Sequence, residues 1–193
     1  MQRRSHTKIT LLAGFSLVTI LACSGGGGNS PTSTPPTPTP NATKLHYTNN
    51  ANTTSWRLEL ESGQDTGHLV LKLMPPVNLV AKGVSFFLSC DGVRTSWVSA
   101  LPGPAFDLGS APQIFRAKAG ATSADYQVGL YQKTGTANLG TLAVARMTLD
   151  LKSGALPGTA SVTPTIGKTG VYLDSSNTEQ PIKTILVGEL RAE

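Results

Sequence analysis

The chain has 193 residues, a formal net charge of +5 and a pI near 9.4, with only 14% charged residues and 33 positions taken by Gly and Pro. Such low charge with so much Gly and Pro excludes a coiled coil and a highly charged disordered chain. The basic pI invites nucleic-acid or anionic-membrane binding, a reading that depends on where the charges sit.

Residues 1–22 have the form of an export signal. Arg3, Arg4 and Lys8 precede an apolar run of 14 residues from Ile9 to Ala22, too short to cross a bilayer core as a helix. The run ends Ile20-Leu21-Ala22-Cys23, which resembles the lipobox of bacterial lipoproteins. That resemblance implies acylation of Cys23 and a membrane anchor; the alternative is an ordinary signal in which Cys23 is incidental. Residues 23–43 read as a disordered tether. SGGGGNS is flexible, and PTSTPPTPTPNAT favours extended polyproline II. Asn41-Ala42-Thr43 fits an N-glycan acceptor, although a bare linker is the simpler reading. Removing the signal takes away three basic and no acidic residues. Thirteen Lys+Arg then stand against eleven Asp+Glu, a balance of +2 with no basic block, so nucleic acid is not expected as a partner.

From residue 44 to 193 the pattern is period 2 in short runs, which predicts an all-β domain. Apolar residues alternate at Trp56/Leu58/Leu60, Leu69/Leu71/Leu73, Val84/Phe86/Leu88/Cys90, Val128/Leu130 and Met147/Leu149/Leu151. Ser161–Thr163, Val171–Leu173 and Ile182–Leu190 complete a set of nine or ten strands. Turn residues separate them at Ser62-Gly63, Pro75-Pro76, Asp91-Gly92, Pro102-Gly103-Pro104, Pro157-Gly158 and Asp174–Asn177. Thr141–Lys152 is the best window for a helix, but its Thr and Val content and the preceding Gly140 favour strand. The Gly-, Pro- and Ala-rich stretch Val98–Ala124 reads as a loose loop. Cys90 falls on the inward face, where a small buried hydrophobe is the simplest role.

Gly83-Val-Ser-Phe-Phe-Leu-Ser-Cys-Asp91, the strand–turn–strand from Gly140 to Thr163, and Val171–Glu179 with the strand to Arg191 together resemble cohesin modules in order and spacing. The resemblance covers roughly Ser55 to Arg191. It implies a nine-stranded jelly-roll β-sandwich, related to carbohydrate-binding modules, that binds a protein or glycan and performs no catalysis. Cellulosomal cohesins usually occur in arrays; this sequence carries one copy.

The residues themselves offer little chemistry. His46 and His68 are too isolated for a metal site, and Glu59 and Glu61 read as a solvated edge rather than a catalytic pair. No nucleophile elbow, P-loop or dinucleotide fingerprint is present. Asp65, Asp91 and Asp174–Asn177 carry oxygen ligands suited to calcium, but turn chemistry accounts for them more simply. No catalytic residue, metal or cofactor is therefore expected. If Val84, Phe86 and Leu88 point inward, Ser85, Phe87 and Ser89 point outward; by the same logic so do Gln127, Gly129 and Tyr131. In cohesins these two strands belong to the sheet that meets the partner, so Phe87, Ser85, Ser89, Gln127 and Tyr131 form the expected binding face. The alternative is that the Val98–Ala124 loop covers Phe87. The expected protein is a lipid-anchored envelope protein displaying one binding module; the alternative is a structural subunit or assembly factor of an envelope or secretion complex. Ser24 after Cys23, in place of Asp, resembles the outer-membrane sorting pattern of organisms with two membranes.

Overall fold

The structure, a computed structural model, describes residues 37–106, 113–119, 124–132, 135–165 and 170–193. The expected export signal and Cys23 lie outside the described residues. Among the described residues the secondary structure is β throughout, apart from a 3₁₀ turn at Pro104–Phe106. In chain order the segments are β1 (Leu45–Thr48), β2 (Trp56–Ser62), β3 (His68–Met74), β4 (Val80–Ala81), β5 (Gly83–Cys90), β6 (Thr95–Pro102), β7 (Gln113–Ala119) and β8 (Asp125–Gln132). They continue as β9 (Ala137–Asn138), β10 (Ala145–Leu151), β11 (Gly158–Ala160), β12 (Val162–Thr165), β13 (Val171–Leu173), β14 (Glu179–Pro181), β15 (Ile185–Leu186) and β16 (Glu189–Ala192).

Two sheets form the sandwich. One has the order β15-β2-β3-β10-β6; the other has β14-β13-β5-β8-β7, with β12 also pairing with β5. A smaller sheet, β1-β16-β11, joins the N-terminal strand to the last one. The period-2 residues meet in the core as the sequence pattern predicts. Leu58, Leu69, Leu71, Leu73, Met147 and Leu149 face Val84, Phe86, Leu88, Val128 and Leu130, all of them buried. Two aromatic pairs join the layers: Trp97 of β6 with Tyr126 of β8 at 6.3 Å, and Trp56 of β2 with Tyr172 of β13 at 6.4 Å. Both lie within the range where ring pairs add to simple area burial. Cys90 is a buried free thiol whose pKa burial raises, in keeping with a packing role.

Two expectations need correction. Val98–Ala124 is not a loose loop: its start belongs to β6, which pairs with β10, and its later part contains β7, which pairs with β8. The predicted strand Ile182–Leu190 is two, β15 and β16. Gly188 lies between them, where a Cβ would collide with the Thr48 carbonyl oxygen. β15 pairs only Trp56 and Arg57 of β2, so among the described residues no strand borders Glu59 and Glu61 on that side. The Thr141–Lys152 window is strand over Ala145–Leu151, as expected.

The ordered backbone is joined to the fold ahead of β1. Ala42 N donates to Ala155 O at 2.7 Å, and Thr43 N to Glu193 O at 2.6 Å. Tyr47 then locks β1 in place. Its buried hydroxyl donates to Leu58 O at 3.2 Å and accepts from Gly188 N at 2.7 Å, and burial raises its pKa. Tyr47→Phe leaves Gly188 N–H without its acceptor. The expected loss is about 1–3 kcal/mol in denaturant unfolding at unchanged m-value. Gly188→Ala should cost at least as much, because it pushes β16 away from β1.

Candidate binding face

The outer face of the sheet containing β5 and β8 follows from register. Opposed residues in an antiparallel pair share a face. Gly83 pairs with Tyr131, Ser85 with Gly129, Phe87 with Gln127 and Ser89 with Asp125. The structure therefore places all five expected residues on one outward surface. Gln127 and Tyr131 are exposed, whereas Ser85, Phe87 and Ser89 are half-buried. Ser89 is occupied: its hydroxyl donates to Asp125 Oδ1 at 2.7 Å, at the margin of the face. Phe87 has Gln127 and Thr165 as its register neighbours on the two flanking strands. Neither belongs to Val98–Ala124, whose β7 pairs with β8 on the side away from β5.

The relief of the surface comes from two glycines. A Cβ on Gly83 would overlap the Cβ of Tyr131, so only glycine allows Tyr131 to settle against β5. Gly129 is the reverse case, with nothing within 4 Å of a built Cβ, and it leaves a gap beside Tyr131. A hollow of about 220 Å³ runs from Ser85, Gly129 and Tyr131 to Val171, Leu173 and Glu179. A second hollow, of about 330 Å³, lies between Ser85, Gly129, Tyr131, Gln127 and Lys118. Tyr131 is shared by both, and at 37% relative exposure it is the exposed aromatic of the face. Sequence reasoning missed Lys118, Val171, Leu173 and Glu179. Lys118 was legible: Ile114/Arg116/Lys118 against Phe115/Ala117/Ala119 is a period-2 run hidden by its Gly- and Ala-rich surroundings.

The outer face of the opposite sheet differs in kind. Arg57 Nε lies 2.6 Å from Glu59 Oε1, Lys72 Nζ lies 3.5 Å from Glu59 Oε2, and Arg146 Nε lies 2.7 Å from Glu61 Oε1. His68 and Asp150 pair on the same face. Each charge already has a partner, so this surface is satisfied in water. The centre of the β5–β8 face, at Ser85, Gly129 and Tyr131, is uncharged, with Lys118 and Glu179 at the margins of its hollows, which suits association better.

The candidate calcium oxygens are engaged in turns. Asp174 accepts from Thr178 N at 3.0 Å and Ser176 N at 2.8 Å, and these amides lower its carboxyl pKa. Burial pushes the Asp91 carboxyl up, but Arg94 and the Val93 amide outweigh it and leave a net lowering. Asp65 is lowered chiefly by the hydrogen bond from His46, at 2.9 Å. Among the described residues no group of three or more His, Cys, Asp or Glu side chains is placed to hold a metal ion.

No family model matches the sequence, and no curated protein matches it. Solved structures do match. A type II cohesin domain from the cellulosome of Acetivibrio cellulolyticus is similar at 11% identity, over 72% of this chain and 95% of that one, with a TM-score of 0.55. The second type II cohesin module of the ScaA scaffoldin of the same organism gives 7% identity, 72% and 89% coverage, and a TM-score of 0.57. The sixth cohesin of its scaffoldin B, solved in complex with a mutant Cel5 dockerin, gives 16%, 70% and 96%, and 0.50. At these identities the likeness is one of fold: this domain is a cohesin-like jelly-roll β-sandwich.

The Asp174 turn, which shapes the β13–β14 side of the first hollow, should be sensitive to acid only at low pH. A carboxyl lowered by folding stabilises fully above its unfolded value of about 3.9, and that contribution is lost as pH falls through the lowered folded value. Amide exchange at Ser176 and Thr178 should therefore stay protected at pH 5 and open only below about 4. Asp174→Ala should open the same amides at pH 7.

Proposed function

We propose that the chain is an exported lipoprotein, anchored through Cys23, whose cohesin-like module binds a protein partner through the outer face of β5 and β8 without catalysis. The observation that carries the binding reading is the contrast between the two outer faces. One carries paired charges across β2, β3 and β10, with Leu101 exposed at its β6 edge. The other is built from Ser85, Gly129, Tyr131, Val171 and Leu173 around two hollows. The fold supports a protein partner over a glycan, since one cohesin neighbour was solved with a dockerin. A glycan platform would favour several exposed aromatics, and here Phe87 is half-buried beside a single exposed Tyr131. The anchor reading rests on the basic head, the apolar run and Cys23 at lipobox spacing. The Gly/Pro/Thr tether then links the module to the bilayer, with the outer membrane as the site if the source has two.

The test is a pull-down from native envelope with the full chain, its Tyr131→Ser and Gly129→Trp variants, and Lys72→Glu on the opposite face. Gly129→Trp fills the gap from an open position, so it should leave the melting temperature within about 2 °C of wild type. It should nevertheless abolish capture of the partner, as Tyr131→Ser should, while Lys72→Glu should capture normally. Capture that survives both face variants would refute the assignment. Separately, Cys23→Ser should release the chain from membranes.

A further inference from the structure

We propose that the tether end of the domain is itself a lipid-contacting surface, on which the turn tips Val93 and Leu156 dip into the bilayer to which the chain is anchored. This rests on the lipid-anchor reading above. The sandwich has two ends. β3 runs from His68 to Met74, and β10 runs back from Ala145 to Leu151. The tether joins at the end where Lys152 follows β10, because Ala42 N bonds Ala155 O in the β10–β11 turn. Val93, at the tip of the β5–β6 turn, is 77% exposed, the highest value among the exposed large hydrophobic residues. Leu156, one residue past the backbone group that receives the tether, is 53% exposed.

Single exposed aliphatic residues are common and need no explanation. These two differ because they share a braced platform. Arg94 Nε donates to Leu156 O at 3.2 Å, and Lys152 N donates to Arg94 O at 2.8 Å. Lys152 Nζ also bonds Gly92 O. Arg94 pairs with Asp91 at 2.9 Å and Lys44 with Glu193 at 3.2 Å, while Lys152, bonded to a carbonyl, keeps its positive charge. The end therefore offers two fixed apolar tips with little net charge to repel a headgroup layer. Covalent connection supplies the occupant. The 19 residues from Cys23 to Asn41 can reach at most about 65 Å. A surface held that close acts at high effective concentration, so two shallow contacts suffice where they would fail for a free domain. Contact at this end turns the β5–β8 face sideways and leaves the Val77 end pointing away from the membrane.

Tryptophan reporters test this. The full chain, acylated in a lipoprotein-processing host, is reconstituted into phosphatidylethanolamine/phosphatidylglycerol vesicles with plain or brominated acyl chains. Val93→Trp reports the tether end, Leu156→Trp is a second reporter there, and Val77→Trp reports the far end. Trp56 and Trp97 are buried and give a common background. The expected result is that V93W and L156W lose emission in brominated vesicles and V77W does not, with the V93W loss reversed by adding Leu156→Asp. Flotation of the same vesicles reads the anchor separately. A chain that floats but whose V93W and L156W are quenched no more than V77W overturns this inference alone. A chain that does not float overturns the anchor reading and this inference with it.

Discussion

The antiparallel register of β5 with β8 is the constraint on which the rest of the domain depends. Side chains alternate with a period of two, so a slip of one residue would send Phe86, Leu88, Val128 and Leu130 to solvent and Ser85, Phe87 and Gln127 into the core. Burying the first set at 0% exposure forbids the slip. The candidate face is thus a by-product of the core: packing one side of β5 and β8 decides which residues stand on the other. Burial of several side chains of this size, each contributing about 1.5–3 kcal/mol, makes the register far stronger than any single contact on the face itself. Substitutions on the face can therefore alter binding while the fold persists.

The two outer surfaces then divide the work. Around β2, β3 and β10 the outward residues are long and charged, and they satisfy one another. At the centre of β5 and β8 they are uncharged, and Ser85 and Gly129 are short enough to leave hollows beside Tyr131. Gly83 and Gly129 bring this about in opposite ways, the first by letting Tyr131 pack against β5 and the second by leaving space beside it. The β13–β14 turn closes one side of the hollow, held by Asp174. Ala42 and Thr43 join the fold away from this surface, at an end of the sandwich.

The sandwich class was legible because its long strands carry clean alternation: Leu69/Leu71/Leu73 and Val84/Phe86/Leu88 point to one side in the sequence and in the structure. The five face residues followed from the same alternation. What was not legible depends on who pairs with whom. β7 was hidden because Ala117 and Ala119 give a weak apolar signal between glycine- and proline-rich flanks. The break between β15 and β16 depends on how closely Thr48 approaches Gly188, a contact between residues 140 positions apart. Val171, Leu173 and Glu179 join the hollow only because β13 pairs with β5, and no local pattern announces that pairing. His46 looked isolated along the chain, yet the Leu45–Thr66 bridge brings it within 2.9 Å of Asp65.

The central claim is that the β5–β8 face, and not the ion-paired face, meets the partner. Carbene footprinting of the full chain with and without its captured envelope partner tests this most directly, because it reports side-chain exposure on both faces in one measurement. The account predicts that Tyr131, Val171 and Leu173 lose labelling in the complex while Leu101, Lys72 and Arg146 keep theirs. Labelling of Tyr131 that is unchanged while Lys72 and Arg146 become protected would contradict it.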